Sequence, residues 1–415
     1  MARILVVKHL FPYPPSQGTR RVSLALLEDL AARHEVVFLC QLEDPAEQGL
    51  IPHIERLGVR VHAPLMPNRR SPVHRLLYKA RNRTLARLRR IPEICLYASN
   101  RELRGGLERI EREFEPDLTI LESWETYLLR RSIHCGRAAL LAHDAGFQII
   151  ERAIGATTDP RERDRRRRRL EREKRLEIHA WTLFDAILTL TAADRETVAH
   201  ELEHTPDTAR VHPPLVRHLP VPVSAEFFRF GRPAVAGRRV GFLGSFRADF
   251  NRDALCFILE DIWPRVAERL PGAELIIAGN GADPGLAKRA GQSGARWLGL
   301  VEDLAEFFAA IDVLLVPLRF GAGVRIRILE ALAAATAVVA TPLAAAGLNV
   351  TPGEHLLLGS DAEALATQIA WVCEHPAEAA GLGRRGRQWC ARLHGPEALR
   401  DGRLAIIDEI LALRS

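Results

Sequence analysis

The sequence predicts an α/β protein made of two doubly wound, Rossmann-like domains in tandem. Three observations carry this: short Val/Ile/Leu runs alternate with longer amphipathic segments, the alternation breaks once at a proline cluster, and it then resumes. At 415 residues the chain also exceeds one ordinary core, which makes two domains the default.

In the first half, strands are expected at "RILVV" (3–7), "EVVFLC" (35–40), "VRVH" (59–62), "LTIL" (118–121), "AALLA" (138–142) and "AILTL" (186–190). Helical patterns lie between them, such as "TRRVSLALLEDLAAR" from Thr19, after Gly18. "VHPPLVRHLPVPV" gathers Pro213, Pro214, Pro220 and Pro222 and reads as a linker. Strands resume at "RVGFLG" (239–244), "AELIIAG" (273–279), "ARWLG" (295–299), "DVLLVPL" (312–318) and "AVVAT" (337–341). The expected division is an N-terminal domain over 1–212, a linker over 213–223, a second domain over 224–393 and a closing helix over 394–415. Ligands of such sheets bind outside the carboxyl ends of the strands, where the strand order reverses. Two such edges facing across an interdomain cleft would form the site, so the residues just after each strand are the candidates.

Composition narrows the class. Nearly half the residues are hydrophobic and few are aromatic, as in an Ala/Leu/Val-rich enzyme. The six cysteines are scattered without a C-x-x-C pair, which argues against a disulfide framework or zinc site and for a reducing, cytoplasmic setting. "MARILVVKHLFPYPP" reads as a first strand rather than a secretory signal. The uncharged stretch 331–353 contains Pro342, Gly347 and Pro352, and fits a helix end, turn and strand better than a membrane span. Much of the net charge of +6 sits in "RERDRRRRRLEREKR" (161–175). This is a long helix with a solvated basic face, or one that contacts anionic lipid headgroups peripherally at the inner membrane face, or a phosphorylated acceptor. No nucleic-acid module accompanies it, so nucleic acid is not an expected partner.

Several common sites are missing: there is no G-x-G-x-x-G after the first strand, no G-x-x-x-x-G-K-[ST], no G-x-S-x-G and no D-x-D. Any diphosphate must therefore be neutralised by arginines and backbone amides. "RFGAGVRIRILEAL" (319–332) can supply both. Gly321, Ala322 and Gly323 form a turn after a buried strand, and a helix is expected from about Val324. Glycines admit a ligand close to the backbone, and helix-start amides bind anions. Arg325 and Arg327 add fixed charge in the first turns, and Glu330 could accept hydrogen bonds from two vicinal ribose hydroxyls. The plainer reading is an Arg327–Glu330 surface pair at i,i+3. Gly244, Ser245 and Arg247 make a second turn of this kind after another strand of the same sheet. Gly279 and the loop Gly299–Asp303, with Val301 and Glu302, are placed to hold a base. In the first half, His143 and Asp144 directly follow a strand.

From "VGFLGSF" through "FFAAIDVLLVPLRFGAGVRIRILEALAAATAVVATPLAAAGL" the chain resembles the retaining glycosyltransferases of family 4, which have the GT-B fold. "AHDAG" and "FPYPPSQGTRR" extend the likeness to the N-terminal half. The resemblance implies a nucleotide-diphosphate sugar as donor and a hydroxyl acceptor on a glycan, lipid-linked glycan or small molecule. It puts Glu330 on the ribose, Arg325 and Arg327 near the diphosphate, and Gly321, Ala322, Gly323 and Val324 at the donor sugar. Gly244 and Ser245 would flank the phosphate, His143 would sit beside the transferred sugar, and Gln17, Gly18 and Thr19 would form a loop over the cleft. The family's E-x7-E signature has Ala322 at its first position, and Ser245 and Asn251 stand where many members carry arginine and lysine. A nucleophilic carboxylate about 5 Å from an acid partner, the glycosidase arrangement, is thus not offered by the motif. Same-face substitution without a metal or other cofactor is the expected mechanism. The alternatives are a catalytically weak nucleotide-sugar-binding subunit and a GT-B epimerase or hydrolase.

Overall fold

The structure, a computed structural model, describes residues 1–15, 18–67, 72–155, 159–205, 213–229, 237–301, 303–321 and 323–413. The chain forms two compact units. The first comprises Met1–Pro15, Thr19–Pro220 and Arg400–Ser415, and the second Ser16–Gly18 and Val221–Leu399.

In the first unit the strands are β1 (Arg3–Val7), β2 (Glu35–Leu39), β3 (Val59–His62), β4 (Leu118–Glu122), β5 (Arg137–Ala142), β6 (Ala186–Thr189) and β7 (Leu215–His218). They pair in parallel in the order β3-β2-β1-β4-β5-β6-β7, with Ile4 opposite both Val36 and Leu118. The order therefore reverses between β1 and β4. Ile4–Val7 and Leu118–Leu121 are buried, as expected where helices cover both faces of a parallel sheet. The helix Gly18–Ala31 buries Val22, Leu26, Leu27 and Leu30, one stripe at helical spacing. The helix Arg101–Phe114 starts where the Asn100 side chain accepts from the amides of Glu102 and Leu103, and it ends at Glu115 in the left-handed region (φ 45°).

β7 lies inside the stretch read as a linker. Its prolines flank "LVRH" instead of interrupting it, so the four residues can add to β6 at the sheet edge. The basic run forms a helix, Pro160–Trp181, opened by an Asp159 cap. Many of its charges are matched locally: Arg165 and Arg166 reach Glu162, Arg169 reaches Glu173, and Lys174 reaches Glu201. The final helix, Pro396–Leu411, is fixed to the first unit by a buried ion pair between Arg403 Nε and Asp29 Oδ2 at 2.6 Å. Arg217–Glu409 and Arg33–Asp408 pair along the same helix.

The second unit holds β8 (Arg239–Leu243), β9 (Glu274–Ala278), β10 (Arg296–Gly299), β11 (Val313–Val316), β12 (Ala337–Ala340) and β13 (Leu357–Leu358). The parallel order is β10-β9-β8-β11-β12-β13, with its own reversal between β8 and β11. Phe242, Phe246, Phe307 and Phe308 lie in its core. The uncharged stretch 331–353 resolves into the end of a helix (Ile326–Ala333), β12 and a short helix (Pro342–Ala345). Among the described residues no helix is long and apolar enough to cross a membrane.

Candidate active site

The carboxyl edge of the second unit is built from backbone held at close quarters. The Gly244 amide, just past β8, donates to Ala278 O at 3.0 Å, and the Phe246 amide donates to Asn280 O at 2.8 Å. Gly279 follows β9 with φ 147°, and its amide donates to Gly299 O at 2.7 Å at the end of β10. A Cβ on Gly279 would lie 1.8 Å from Gly244 O, so only glycine fits there. Gly244, Gly279 and Gly299 thus form one continuous rim over the ends of β8, β9 and β10. Arg247 packs against Gly281, where a Cβ would come within 2.4 Å of Arg247 Cγ.

β11 leads through Gly321 (φ 129°) and Gly323 (φ 79°) to the helix Ile326–Ala333. That helix begins two residues later than the sequence suggests. Arg325 is its cap residue (φ −85°, ψ 71°), outside the first turn, because the backbone has not yet reached helical ψ. Its guanidinium folds back, Nη1 donating to Gly323 O at 2.5 Å, and a Cβ on Gly321 would lie 3.2 Å from Nη2. Arg327 is in the first turn. Its guanidinium donates to Leu243 O and, at 2.8 Å, to Asn251 Oδ1, whose own amide donates to Ser245 O at 2.8 Å. Arg327 and Asn251 therefore tie the helix start to the turn after β8, across the reversal in strand order. Arg325 and Glu330 are both buried. Val301 is half-buried beyond Gly299 and Val324 half-buried before Arg325. Ala322 and Glu302 lie outside the described residues.

The first unit carries a second polar cluster at its own reversal. Lys8 follows β1 and Glu122 ends β4, and Lys8 Nζ meets Glu122 Oε2 at 2.7 Å. Ser23 Oγ donates to the same oxygen at 2.6 Å, and His143 Nε2, just past β5, lies 3.1 Å from it. Burial alone would raise the Glu122 carboxyl, but Lys8 and His143 outweigh it and hold the pKa at about 2. Burial lowers His143, opposed by its hydrogen bond to Glu122. Burial also takes His9 down to about 4, with Lys8 and His143 adding to the effect. Lys8 Nζ further reaches Thr19 O at 3.4 Å, so Thr19 joins this cluster, while Gly18 opens the helix that carries Ser23. Gln17 lies outside the described residues.

Of the residues read from the sequence, Gly244, Ser245, Gly279, Gly299, Arg325 and Arg327 come together on the second unit's edge. His143 and Thr19 come together on the first unit's. Sequence reasoning missed Lys8, Ser23 and Glu122. The available signal was a charged residue closing an otherwise apolar strand, as in "ILVVK" and "LTILE".

Two parallel, doubly wound sheets in tandem define the GT-B class of fold. Superposition on solved structures spans the chain: 99% of it matches all of a sucrose-phosphate synthase from Thermosynechococcus elongatus, with a TM-score of 0.69 at 18% identity. HepE from Anabaena, crystallised with UDP and glucose, matches over the same share with a TM-score of 0.68 at 13% identity. At these identities the likeness is one of fold. Residues 237–375, within the second unit, match the model of the family described as Glycosyl transferases group 1. A phosphatidyl-myo-inositol mannosyltransferase from Mycolicibacterium smegmatis is 32% identical over 158 residues, which is 37% of this chain and 40% of that protein's length.

Proposed function

We propose that the protein is a retaining glycosyltransferase that moves a sugar from a nucleoside-diphosphate sugar to a hydroxyl acceptor without a metal. The observation that carries this reading is the second unit's edge, where Arg327 ties the start of the helix Ile326–Ala333, capped by Arg325, to the Gly244 end of the Gly244–Gly279–Gly299 rim. In the reaction, the bond from the anomeric carbon to the β-phosphate oxygen breaks. The acceptor oxygen bonds to that carbon on the same face, and the acceptor proton passes to the departing phosphate oxygen. Arg325 and the helix-start amides stabilise the charge that develops on the phosphate. Arg327 keeps the turn after β8 in register with that helix start. Glu330 receives the ribose hydroxyls and His143 orients the sugar. The reading is supported by the family match, by a relative named as a mannosyltransferase, and by a fold neighbour crystallised with UDP and glucose.

A thermal-shift screen of UDP-, GDP- and ADP-sugars followed by product analysis tests it. Stabilisation by sugars of one base, a product of unchanged anomeric configuration and little effect of EDTA are expected. Donor binding without turnover on any acceptor extract would favour a weak binder. An epimer or free sugar formed without acceptor would favour an epimerase or hydrolase. An inverted product or loss of activity in EDTA would sink the mechanism.

A lipid-linked acceptor reached at the membrane surface belongs to the same reading. Beside the basic helix over 161–175, the helix Pro72–Arg89 offers a second cationic element, with no acidic residue from Arg75 to Arg90. Leu76, Leu77 and Leu88 are 69%, 64% and 75% exposed on it. Exposed leucines among arginines suit an anionic bilayer. The protein is expected to sediment with phosphatidylglycerol-containing vesicles and not with pure phosphatidylcholine. Leu76→Ser with Leu77→Ser should weaken that binding more than removing two arginines from 161–175.

A further inference from the structure

We propose that Glu122 is the positioning residue of the first unit's edge. It fixes His143 in one ring orientation and one tautomer, with the proton on Nε2 and Nδ1 left as an acceptor for a sugar hydroxyl. The inference rests on the reading that His143 orients the sugar.

Four observations support it. First, the carboxylate is itself immobilised: Lys8 and Ser23 both donate to Oε2, and the Glu122 side chain is fully buried. Second, Glu122 is ionised at neutral pH and so can only accept, which requires the imidazole nitrogen 3.1 Å away to carry a hydrogen. Burial keeps the ring neutral, and a neutral imidazole has one N–H, so Nδ1 has only its lone pair. Third, His143 Nδ1, Glu122 Oε1 and His9 Nδ1 are buried with no hydrogen-bond partner among the described residues. Buried polar atoms are normally paired, and three orphaned polar atoms in one electrostatic cluster, with Glu122 Oε1 able only to accept, fit a ligand that brings hydroxyls. Fourth, Ser123, directly after Glu122, has φ 73°, a conformation costly for a residue with a Cβ and one that gathers at functional sites. The cluster also lies at the strand-order reversal, where α/β sheets bind ligands.

A buried Lys–Glu pair can also serve folding alone, so the test must separate the two roles. The full chain with 15N-labelled histidine is examined by NMR, and nucleotide release from UDP-glucose and GDP-mannose is followed with an acceptor extract. His143 is expected as the Nε2–H tautomer. In Glu122→Gln the side-chain amide can donate, so the tautomer should switch to Nδ1–H. kcat should then fall about 100-fold or more with donor KM little changed, as expected for a misplaced imidazole proton. Glu122→Asp should keep the tautomer and part of the activity. Lys8→Met combined with Glu122→Gln removes the unpaired buried ammonium, and should recover melting temperature without recovering kcat. A kcat that tracks melting temperature through these variants, or an Nδ1–H tautomer in the wild type, would overturn the role of Glu122. A fully active His143→Ala would instead overturn the reading of His143 itself, whatever its tautomer.

Discussion

Replacing Arg325 with alanine is expected to lower kcat and kcat/KM together by about 100- to 1,000-fold, the usual loss when one preorganised donor to a developing oxyanion is removed. The expectation rests on placement. Arg325 is the buried cap residue of the helix Ile326–Ala333, and its guanidinium is held by Gly323 O at 2.5 Å. A group fixed in this way needs little reorganisation when phosphate charge appears. Lysine at 325 keeps the charge but loses the planar fork, and should recover only part of the rate. Arg327→Met should behave differently. Arg327 is committed to Leu243 O and Asn251, so its loss should lower melting temperature and raise donor KM before it touches kcat. Steady-state kinetics with the donor varied would separate these outcomes. An Arg325→Ala enzyme within tenfold of wild type would remove Arg325 from the reaction.

Asp29→Ala is expected to be the most damaging single change to stability, at about 3–5 kcal/mol, because it leaves a buried guanidinium without its counter-charge. Asp29 and Arg403 are both almost fully buried and meet at 2.6 Å, with Arg400 Nε 3.4 Å from the other carboxylate oxygen. Burial already lowers the Arg403 pKa, opposed by Asp29, and removing the carboxylate leaves only the penalty. Asp29→Ala with Arg403→Leu should recover much of the loss, since an apolar pair carries no buried charge. Urea unfolding followed in each unit would show this, because a chain with two compact units need not unfold in one step. An unchanged transition for the first unit would refute it.

Much of the fold was legible because buried parallel strands leave short apolar runs, and "RILVV" and "VRVH" match β1 and β3 residue for residue. β7 was hidden by its flanking prolines, which mark a break in pattern without saying that four residues between them can still pair. β13, at two residues, is too short to show any period. The glycines and arginines of 321–327 were visible in sequence because they are nearly contiguous, and each glycine of the Gly244–Gly279–Gly299 rim because it directly ends a strand. The internal wiring of this edge was not: Arg327 reaches Leu243 across 84 positions, and no local pattern encodes that. Glu122 was overlooked for a related reason. It directly follows the expected strand 118–121, but its partner Lys8 lies 114 residues away, and a lone carboxylate after a strand does not announce such a pairing.

The attachment of the final helix also bears on how the molecule is made. Asp29 waits 374 residues for its partner, and the whole second unit leaves the ribosome before Arg403 does. The first unit, begun first, is thus the last to be completed. A nascent chain stalled before Arg400 would hold an unpaired Asp29 in an unfinished core, and limited proteolysis of such stalled chains should cut the first unit while sparing the second.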